Sequence, residues 1–285
     1  MTHETGTFTA PDGTSLFTRG WTPDRPTRAV VVVVHGVHEH SGRYAYLASA
    51  LMARGVAVRA LDLRGHGQSE GPRGQVDGFG DYVADVTAFL DGVVAGAGAP
   101  VFLMGHSMGG LVVAATVVDR GTDGLAGVVL SSPALQVDAP AVLRRLAPLV
   151  ARWFPDAPVT RVDLGHLSRD PTVARAYRDD PHTINQGVRA RLGFEIVATI
   201  ERVRQHAGAF DLPLYLFHGT QDRLTNPDGT RWLAEHAASD DVTLRIWDGL
   251  YHETLNEPER DEVIAALADW LDAHVSPGQT AKPAA

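Results

Sequence analysis

Two apolar periods alternate along this chain. Residues 29–34 form an unbroken run of one alanine and five valines. The run is too short for an ordinary helix and almost wholly β-branched, so it predicts a strand buried on both faces. Residues 56–61, 101–104 and 127–130 predict three more strands of this kind. Between them the apolar residues fall into helical spacing. Residues 44–54 carry Leu47 and Leu51 on one side and stop at Gly55. Residues 81–94 place Val83, Val86, Phe89 and Leu90 on one face, and 111–118 read as a helix despite their valines. Ahead of this series, 8–10 and 16–21 flank Pro11-Asp12-Gly13, a hairpin signal.

The alternation stops after Ser131-Ser132-Pro133. From Gln136 to Asp211 the spacing predicts helices, at 142–154, 172–178 and 188–206, and no strand. It then resumes with a strand at 214–217, a helix at 230–237, a strand at 242–247 and a helix at 258–274. Strand–helix alternation implies a mostly parallel sheet with helices on both faces. The helical stretch is therefore expected to be an insertion between two strands of one sheet. The expected domains are an α/β core at 1–135 and 212–275, a helical cap at 136–211, and a disordered tail at 276–285, which is rich in proline, alanine and glycine.

The chemistry is concentrated at strand ends. Gly105-His106-Ser107-Met108-Gly109 fits G-x-S-x-G, with a strand running straight into the serine and a helix following at once. That context marks Ser107 as a nucleophile. Gly67-Gln68-Ser69-Glu70-Gly71 fits the same pattern, but Pro72 follows and no helix starts there, so Ser69 reads as a turn serine. A serine hydroxyl needs a base, and the base needs an orienting acid. Where G-x-S-x-G stands on such a turn, the chain order is serine, acid, histidine. Asp222 follows the strand at 214–217 and is the acid expected, with Asp248 after the next strand as the alternative. His252 is the expected base, with His218 and His274 as rivals. The backbone N–H groups of Met108 and Val37, the latter in the loop after the first valine run, are the expected oxyanion donors. The cluster His35, His38, Glu39 and His40 lacks the spacing of a metal motif, so no metal is expected.

Composition narrows the classes further. The chain of 285 residues has no cysteine, which removes thiol nucleophiles, disulfides and thiolate metal sites. Its net charge of −9 carries no basic stripe, which argues against nucleic acid as a partner. The one lysine, Lys282, lies in the expected tail, which argues against Schiff-base chemistry. The N-terminus shows no basic run ahead of an apolar stretch, and the densest apolar runs are strand-length. A soluble, cytoplasmic protein is expected.

Five segments together carry a resemblance. They are His35-Gly36-Val37-His38-Glu39-His40-Ser41-Gly42-Arg43-Tyr44, Asp62-Leu63-Arg64-Gly65-His66-Gly67-Gln68-Ser69, Gly105-His106-Ser107-Met108-Gly109-Gly110, His218-Gly219-Thr220-Gln221-Asp222, and Tyr251-His252-Glu253-Thr254-Leu255-Asn256-Glu257-Pro258-Glu259-Arg260. The chain resembles the monoacylglycerol lipase branch of the serine α/β-hydrolases over nearly its whole length, from Thr5 to His274. The resemblance implies the α/β-hydrolase fold, with Ser107, Asp222 and His252 as the triad and the amides of Val37 and Met108 as the oxyanion hole. It also implies that Glu39 and Arg43 bind glycerol, a role that competes with a plain ion pair pinning their loop. Val37 departs from the alanine or larger aliphatic residue common at this position, and residues 62–69 read as structural. The match is weakest in the cap. There, 142–154, with Arg144, Arg145 and Arg152 set among Leu, Trp and Phe, suits either a lid touching lipid or a helix packed on the core.

The expected reaction is hydrolysis of a carboxylic ester, foremost a monoacylglycerol, to fatty acid and alcohol through an acyl-enzyme, with no cofactor. Lysophospholipids and short-chain or aryl esters are alternatives for the same machinery. A non-catalytic ligand-binding protein of this fold is the alternative of another class. The expected partner is a small lipid ester, with peripheral membrane contact through the cap.

Overall fold

The computed structural model describes residues 2–137 and 141–275, with the side chains of 141–145 also outside the description. The expected tail at 276–285, and the side chains of Arg144 and Arg145, therefore lie outside the described residues. In chain order the main elements are β1 (Thr2–Thr9), β2 (Ser15–Thr22), β3 (Ala29–Val34), α1 (Ala45–Ala53), β4 (Val56–Leu61), α2 (Phe79–Gly96), β5 (Val101–His106), α3 (Met108–Arg120) and β6 (Leu125–Ser131). They continue with α4 (Ala141–Trp153), β7 (Pro158–Thr160), α5 (Pro171–Asp179), β8 (Val188–Arg189), α6 (Ala190–Gln205), β9 (Leu214–Gly219), α7 (Pro227–His236), β10 (Val242–Trp247) and α8 (Arg260–His274).

Eight strands form one sheet in the order β1-β2-β4-β3-β5-β6-β9-β10. The strands from β4 to β10 run parallel, and β1 and β2 are antiparallel at one edge. This is the α/β-hydrolase fold. The valine run of β3 divides its side chains between two cores. Val30, Val32 and Val34 pack with α2, α3 and α6, whereas Val31 and Val33 pack with α1 and α8. Each such valine contributes roughly 1.5–3 kcal/mol on burial. α3 keeps its helix despite Val112, Val113 and Val117 because it is covered by the sheet, α2 and α6. Tertiary packing overrides the modest helix propensity of valine.

Several elements differ from the pattern reading. β1 spans Thr2–Thr9 rather than 8–10; its residues are mostly exposed, so no apolar alternation marks them. α3 begins at Met108 instead of 111, because Gly109 and Gly110 hide its first turn from a propensity reading. The stretch between β6 and β9 does contain strand: Pro158–Thr160 pairs with Val188–Arg189 as a small antiparallel sheet. Two or three residues are too few to show a period of two, and their partners lie far apart in sequence. Arg189 is extended (φ −75°, ψ 148°), so α6 starts at Ala190 rather than 188.

The chain order reverses between β3 and β5: β4 lies on one side of β3, and β5 on the other. Such a switch point opens a crevice at the carboxyl ends of the two strands. α4, β7 and α6 contribute residues to the cavity found there. Among the described residues, no helix is long and apolar enough to cross a membrane.

Candidate active site

Ser107 stands where β5 becomes α3. Its backbone is forced to φ 54°, ψ −121°, a conformation that costs on the order of 1–3 kcal/mol outside glycine. The surroundings over-determine it. Its N–H donates to the Ser131 carbonyl (3.0 Å), and its own carbonyl accepts from Leu111 (3.2 Å) and Ala134 (3.0 Å). The flanking glycines answer to space. A Cβ on Gly105 would lie 2.3 Å from the Gly109 carbonyl oxygen, and one on Gly109 would lie 2.3 Å from the carbonyls of Val34 and His35. This close approach sets the start of α3 beside the end of β3.

Asp222 follows β9 and is buried. Its Oδ2 accepts from His252 Nδ1 at 2.7 Å and from His218 Nε2 at 2.9 Å. Its Oδ1 accepts the backbone N–H groups of Leu224 (2.7 Å) and Thr225 (3.0 Å). The Thr225 hydroxyl lies 2.9 Å from Oδ2 and 3.1 Å from the Ser132 carbonyl. Burial alone would raise the carboxyl's pKa. The charge of His252 and the hydrogen bonds from His218 and His252 instead hold it well below the usual carboxylate range. His252 is pulled the other way. Burial favours its neutral form, but the Asp222 charge and hydrogen bond raise its pKa above the ordinary imidazole value. With Nδ1 bonded to Asp222, Nε2 is left to face a substrate or a hydroxyl.

The alternatives resolve by position. Asp248 is exposed and, among the described residues, its carboxylate accepts from the Thr220 hydroxyl at 3.1 Å and not from a histidine. His218 is wholly buried behind Asp222, with Nδ1 2.7 Å from the Thr230 hydroxyl. His274 binds Asp241 at the far end of α8. Ser69 ties its loop to β2, accepting from Phe17 N–H at 2.8 Å and donating to the Asp62 carbonyl. Asp62 in turn accepts from the backbone of Ser41 and Gln68, so residues 62–69 act as a loop closure.

Ser107, His252, Asp222, Val37 and Met108 all line one cavity of about 930 Å³. Met108 is the first residue of α3, where helix N–H groups have no intrahelical acceptor. Most of the wall is aliphatic or aromatic, including Leu146, Val150, Val188, Phe194, Ile196 and Val197. His106 closes the floor, with its ring 4.8 Å from that of His252; burial and that neighbour push its pKa down to about 4, so it is neutral.

Glu39 and Arg43 also reach this cavity, as one buried network. Arg43 donates to Glu39 Oε2 (2.8 Å) and to both oxygens of Glu253 (2.6 and 2.7 Å). Glu39 Oε1 accepts from Gly36 N–H (2.6 Å) and the Tyr44 hydroxyl (2.9 Å). Burial opposes ionisation of both carboxyls, but Arg43 outweighs it and holds both below the ordinary glutamate value. Arg43 also lies over the Tyr177 ring at 5.0 Å. The network thus pins the loop after β3 to the loop carrying His252. The part played by its glutamate at 253, like the bracing role of Thr225, was missed by sequence reasoning. Thr225 had a usable signal, since an Asp commonly accepts N–H groups two and three residues on.

The histidine cluster disperses. His35 Nδ1 is 2.7 Å from the Gly36 carbonyl and Nε2 accepts from Leu63 N–H (2.9 Å), so the ring is neutral. His40 bonds Asp180 at 2.9 Å, and His38 has its pKa lowered to about 4 by burial and nearby arginines. Among the described residues no group is arranged to hold a metal ion.

Residues 25–259 match the Hydrolase_4 family model, described as serine aminopeptidase, S33. A monoacylglycerol lipase of Mycolicibacterium smegmatis is 36% identical over 272 residues, covering 94% of this chain and 96% of that protein. A human monoglyceride lipase is 36% identical over 278 residues, covering 95% and 91%. Among solved structures, the Paleococcus ferrophilus monoacylglycerol lipase superposes with a TM-score of 0.80 at 34% identity, covering 91% of this chain and 99% of that one.

Proposed function

Because this chain belongs to the monoacylglycerol lipase family of serine α/β-hydrolases, we propose that it hydrolyses monoacylglycerols to fatty acid and glycerol through an acyl-enzyme on Ser107. The chain is a carboxylic ester hydrolase. The observation that carries the reading is the hydrogen bond from His252 to Asp222 in the same cavity as Ser107, beneath an aliphatic wall.

In this mechanism His252 Nε2 takes the Ser107 proton as Oγ attacks the ester carbonyl. Asp222 fixes the tautomer and stabilises the imidazolium. The developing oxyanion is bound by the N–H groups of Val37 and Met108, each worth about 10²–10³ in rate. The carbon–oxygen bond to glycerol breaks, and glycerol leaves with the proton from His252. Water then gives His252 a proton and attacks the acyl carbon, which frees the fatty acid and restores Ser107. The acyl chain lies along the aliphatic wall and the glycerol lies toward Glu39 and Arg43. Those two residues first hold their loop. Arg43 spends three of its five N–H groups on carboxylates and offers the rest to hydroxyls.

The stretch 136–211 acts as a cap, and α4 is its lipid-facing part. Leu149, Trp153 and Phe154 are 57%, 68% and 67% exposed, while Ala147 and Val150 of the same helix line the cavity. One helix thus links an apolar outer surface to the acyl site, which supports peripheral contact with a lipid surface. At a net charge of −9 that contact is apolar and not a general attraction to anionic lipid.

Ser107→Ala tests the chemistry. It should abolish release of oleate from mono-oleoylglycerol and labelling by a fluorophosphonate, with unchanged circular dichroism; substantial residual turnover would refute the nucleophile. Lysophosphatidylcholine and short p-nitrophenyl esters, run beside mono-oleoylglycerol, test the substrate. A higher kcat/KM on either of them would move the assignment within the same chemistry.

A further inference from the structure

The segment Asn256-Glu257-Pro258 lies beyond the reacting groups, and Glu257 does not line the cavity. Its carboxylate is nevertheless buried, with 1% of the residue exposed. Oε1 accepts the Tyr251 backbone N–H at 2.6 Å. Oε2 faces three donors from the stretch between β7 and α5: Arg169 Nε at 3.1 Å, Arg169 N–H at 3.2 Å and the Ser168 hydroxyl at 3.3 Å. The same hydroxyl is 3.0 Å from the Asn256 carbonyl. Two main-chain bonds run alongside, from Glu253 N–H to the Leu167 carbonyl (2.7 Å) and from His252 N–H to the His166 carbonyl (3.5 Å).

We propose that Glu257 is a positioning residue for His252, clamping the amide that precedes the base to residues 168–169 of the inserted helical stretch. The proposal rests on the reading of His252 as the general base. The physical need is plain. Residues 250–253 belong to no strand and follow a turn at Gly249 (φ 76°). The end of β9 reaches this loop through the Gln221 N–H, which donates to the Leu250 carbonyl at 2.9 Å, and a further hold is needed beyond that point to set the height of His252 above Asp222. A carboxylate that accepts on both oxygens can do so, because it grips the main chain on one side of His252 and the inserted stretch on the other. The clamp also makes one body of residues 166–169 and the base-bearing loop. Any movement of α4 that admits substrate is then decoupled from the catalytic geometry. A displacement of about 1 Å at a reacting group costs about 10²-fold in rate.

The groups facing His252 decide what such a displacement does to its titration. Asp222 comes from the loop after β9, with His218 behind it. His106 comes from the end of β5, and Glu253 from its own loop. Glu39 and Arg43 come from the segment after β3, and the His166 carbonyl from the inserted stretch. Of these, Asp222 gives the strongest stabilisation of the imidazolium, and it alone depends on a 2.7 Å hydrogen bond. Loosening the clamp should therefore move the acid limb of the rate profile down toward the ordinary imidazole value of about 6.5.

Glu257→Gln is the direct test. One end of the amide would present hydrogens to N–H or O–H donors, so one arm of the clamp must open. With active sites counted by fluorophosphonate titration, kcat on a p-nitrophenyl ester should fall about 10- to 100-fold with KM nearly unchanged. The acid midpoint should shift downward. Arg169→Gln, at an exposed residue, should move both readouts the same way by a smaller factor, and it decides the matter if Glu257→Gln does not fold. A lower melting temperature with wild-type kcat and acid midpoint per titrated site, in Glu257→Gln or, failing its folding, in Arg169→Gln, would overturn the proposal. His252→Ala separates the two layers: if it retains the esterase rate, the base assignment fails; if it is inactive, only the clamp is at stake.

Discussion

Replacing Asp222 by Asn tests whether its carboxylate, and not that of Asp248, orients the base. In the structure Asp222 takes five hydrogen-bond donors: two backbone N–H groups on Oδ1, and His252, His218 and the Thr225 hydroxyl around Oδ2. An asparagine has one oxygen. If that oxygen keeps the Leu224 and Thr225 amides, its NH₂ faces His252 Nδ1. The imidazole must then accept at Nδ1 and carry its proton on Nε2, where it cannot take the Ser107 proton. If the amide is flipped, two backbone N–H groups are left against an NH₂ in a buried site, at about 1–3 kcal/mol each. The first arrangement is cheaper, so the variant should fold with the wrong tautomer. Loss of tautomer in a triad costs about 10⁴ in kcat, or about 5.4 kcal/mol of transition-state stabilisation at 1.36 kcal/mol per tenfold. The Asp222 carboxyl is held below its ordinary value, so its charge stabilises the fold above about pH 3.9 and that contribution is lost as pH falls toward the folded value. The variant should therefore also melt lower at neutral pH. Asp248→Asn exchanges an exposed group with one 3.1 Å hydrogen bond and should cost less than about threefold. Initial rates of mono-oleoylglycerol hydrolysis, normalised to folded protein, compare the two. An Asp222→Asn rate within tenfold of wild type, or a larger loss at Asp248, would refute the reasoning.

Three other outcomes follow from the same geometry. Because Asp222 raises the pKa of His252 and the base must be neutral, kcat/KM should fall with a one-proton slope at a midpoint above about pH 6.5; the stability supplied by that charge pair runs oppositely, present below the ordinary value and lost as pH rises through the folded one. A midpoint below 6 in a constant-ionic-strength profile would contradict this. Arg43→Ala leaves the buried carboxylates of Glu39 and Glu253 without their counter-charge and should destabilise by about 3–5 kcal/mol in urea titration, with Arg43→Lys a poor rescue because the grip on Glu253 is bidentate. Trp153→Ser with Phe154→Ser should cut partitioning onto neutral phosphatidylcholine vesicles by about 100-fold, at about 1.5 kcal/mol per side chain, while hydrolysis of a dissolved short-chain ester is maintained; equal partitioning would remove α4 as the lipid-facing element.

The strongest sequence signals were those with a local cause. The valine run of β3 predicts a strand because β-branched side chains suit a sheet covered on both faces. The serine turn is legible because it needs glycine at Gly105 and Gly109, where a Cβ would meet backbone. β7 and β8 were invisible for the opposite reason. Each is two or three residues long, and their extended conformation comes from pairing across the intervening α5. The exposed β1 lacked an apolar period, and Gly109-Gly110 disguised the first turn of α3.

The sequence by itself determined a mostly parallel sheet flanked by helices, because burial on two faces and helical amphipathicity both write themselves into the chain, and its five segments carried the resemblance that implied the α/β-hydrolase fold. It also singled out Ser107, whose strained turn is built from adjacent residues. It narrowed the acid to Asp222 or Asp248, and the histidine to a few, by their place after strands. Only the tertiary structure decided which groups touch. Asp222 meets His252 because β10, which precedes the histidine, lies beside β9, and both come near Ser107 because β6 alone separates β9 from β5. Arg43 meets Glu253 across 210 residues, and Glu257 meets Ser168 and Arg169 across about 90. Hydrogen bonds and charge pairs act over a few ångströms and carry no periodicity along the chain. Their partners are set by which loops the sheet order brings to one edge.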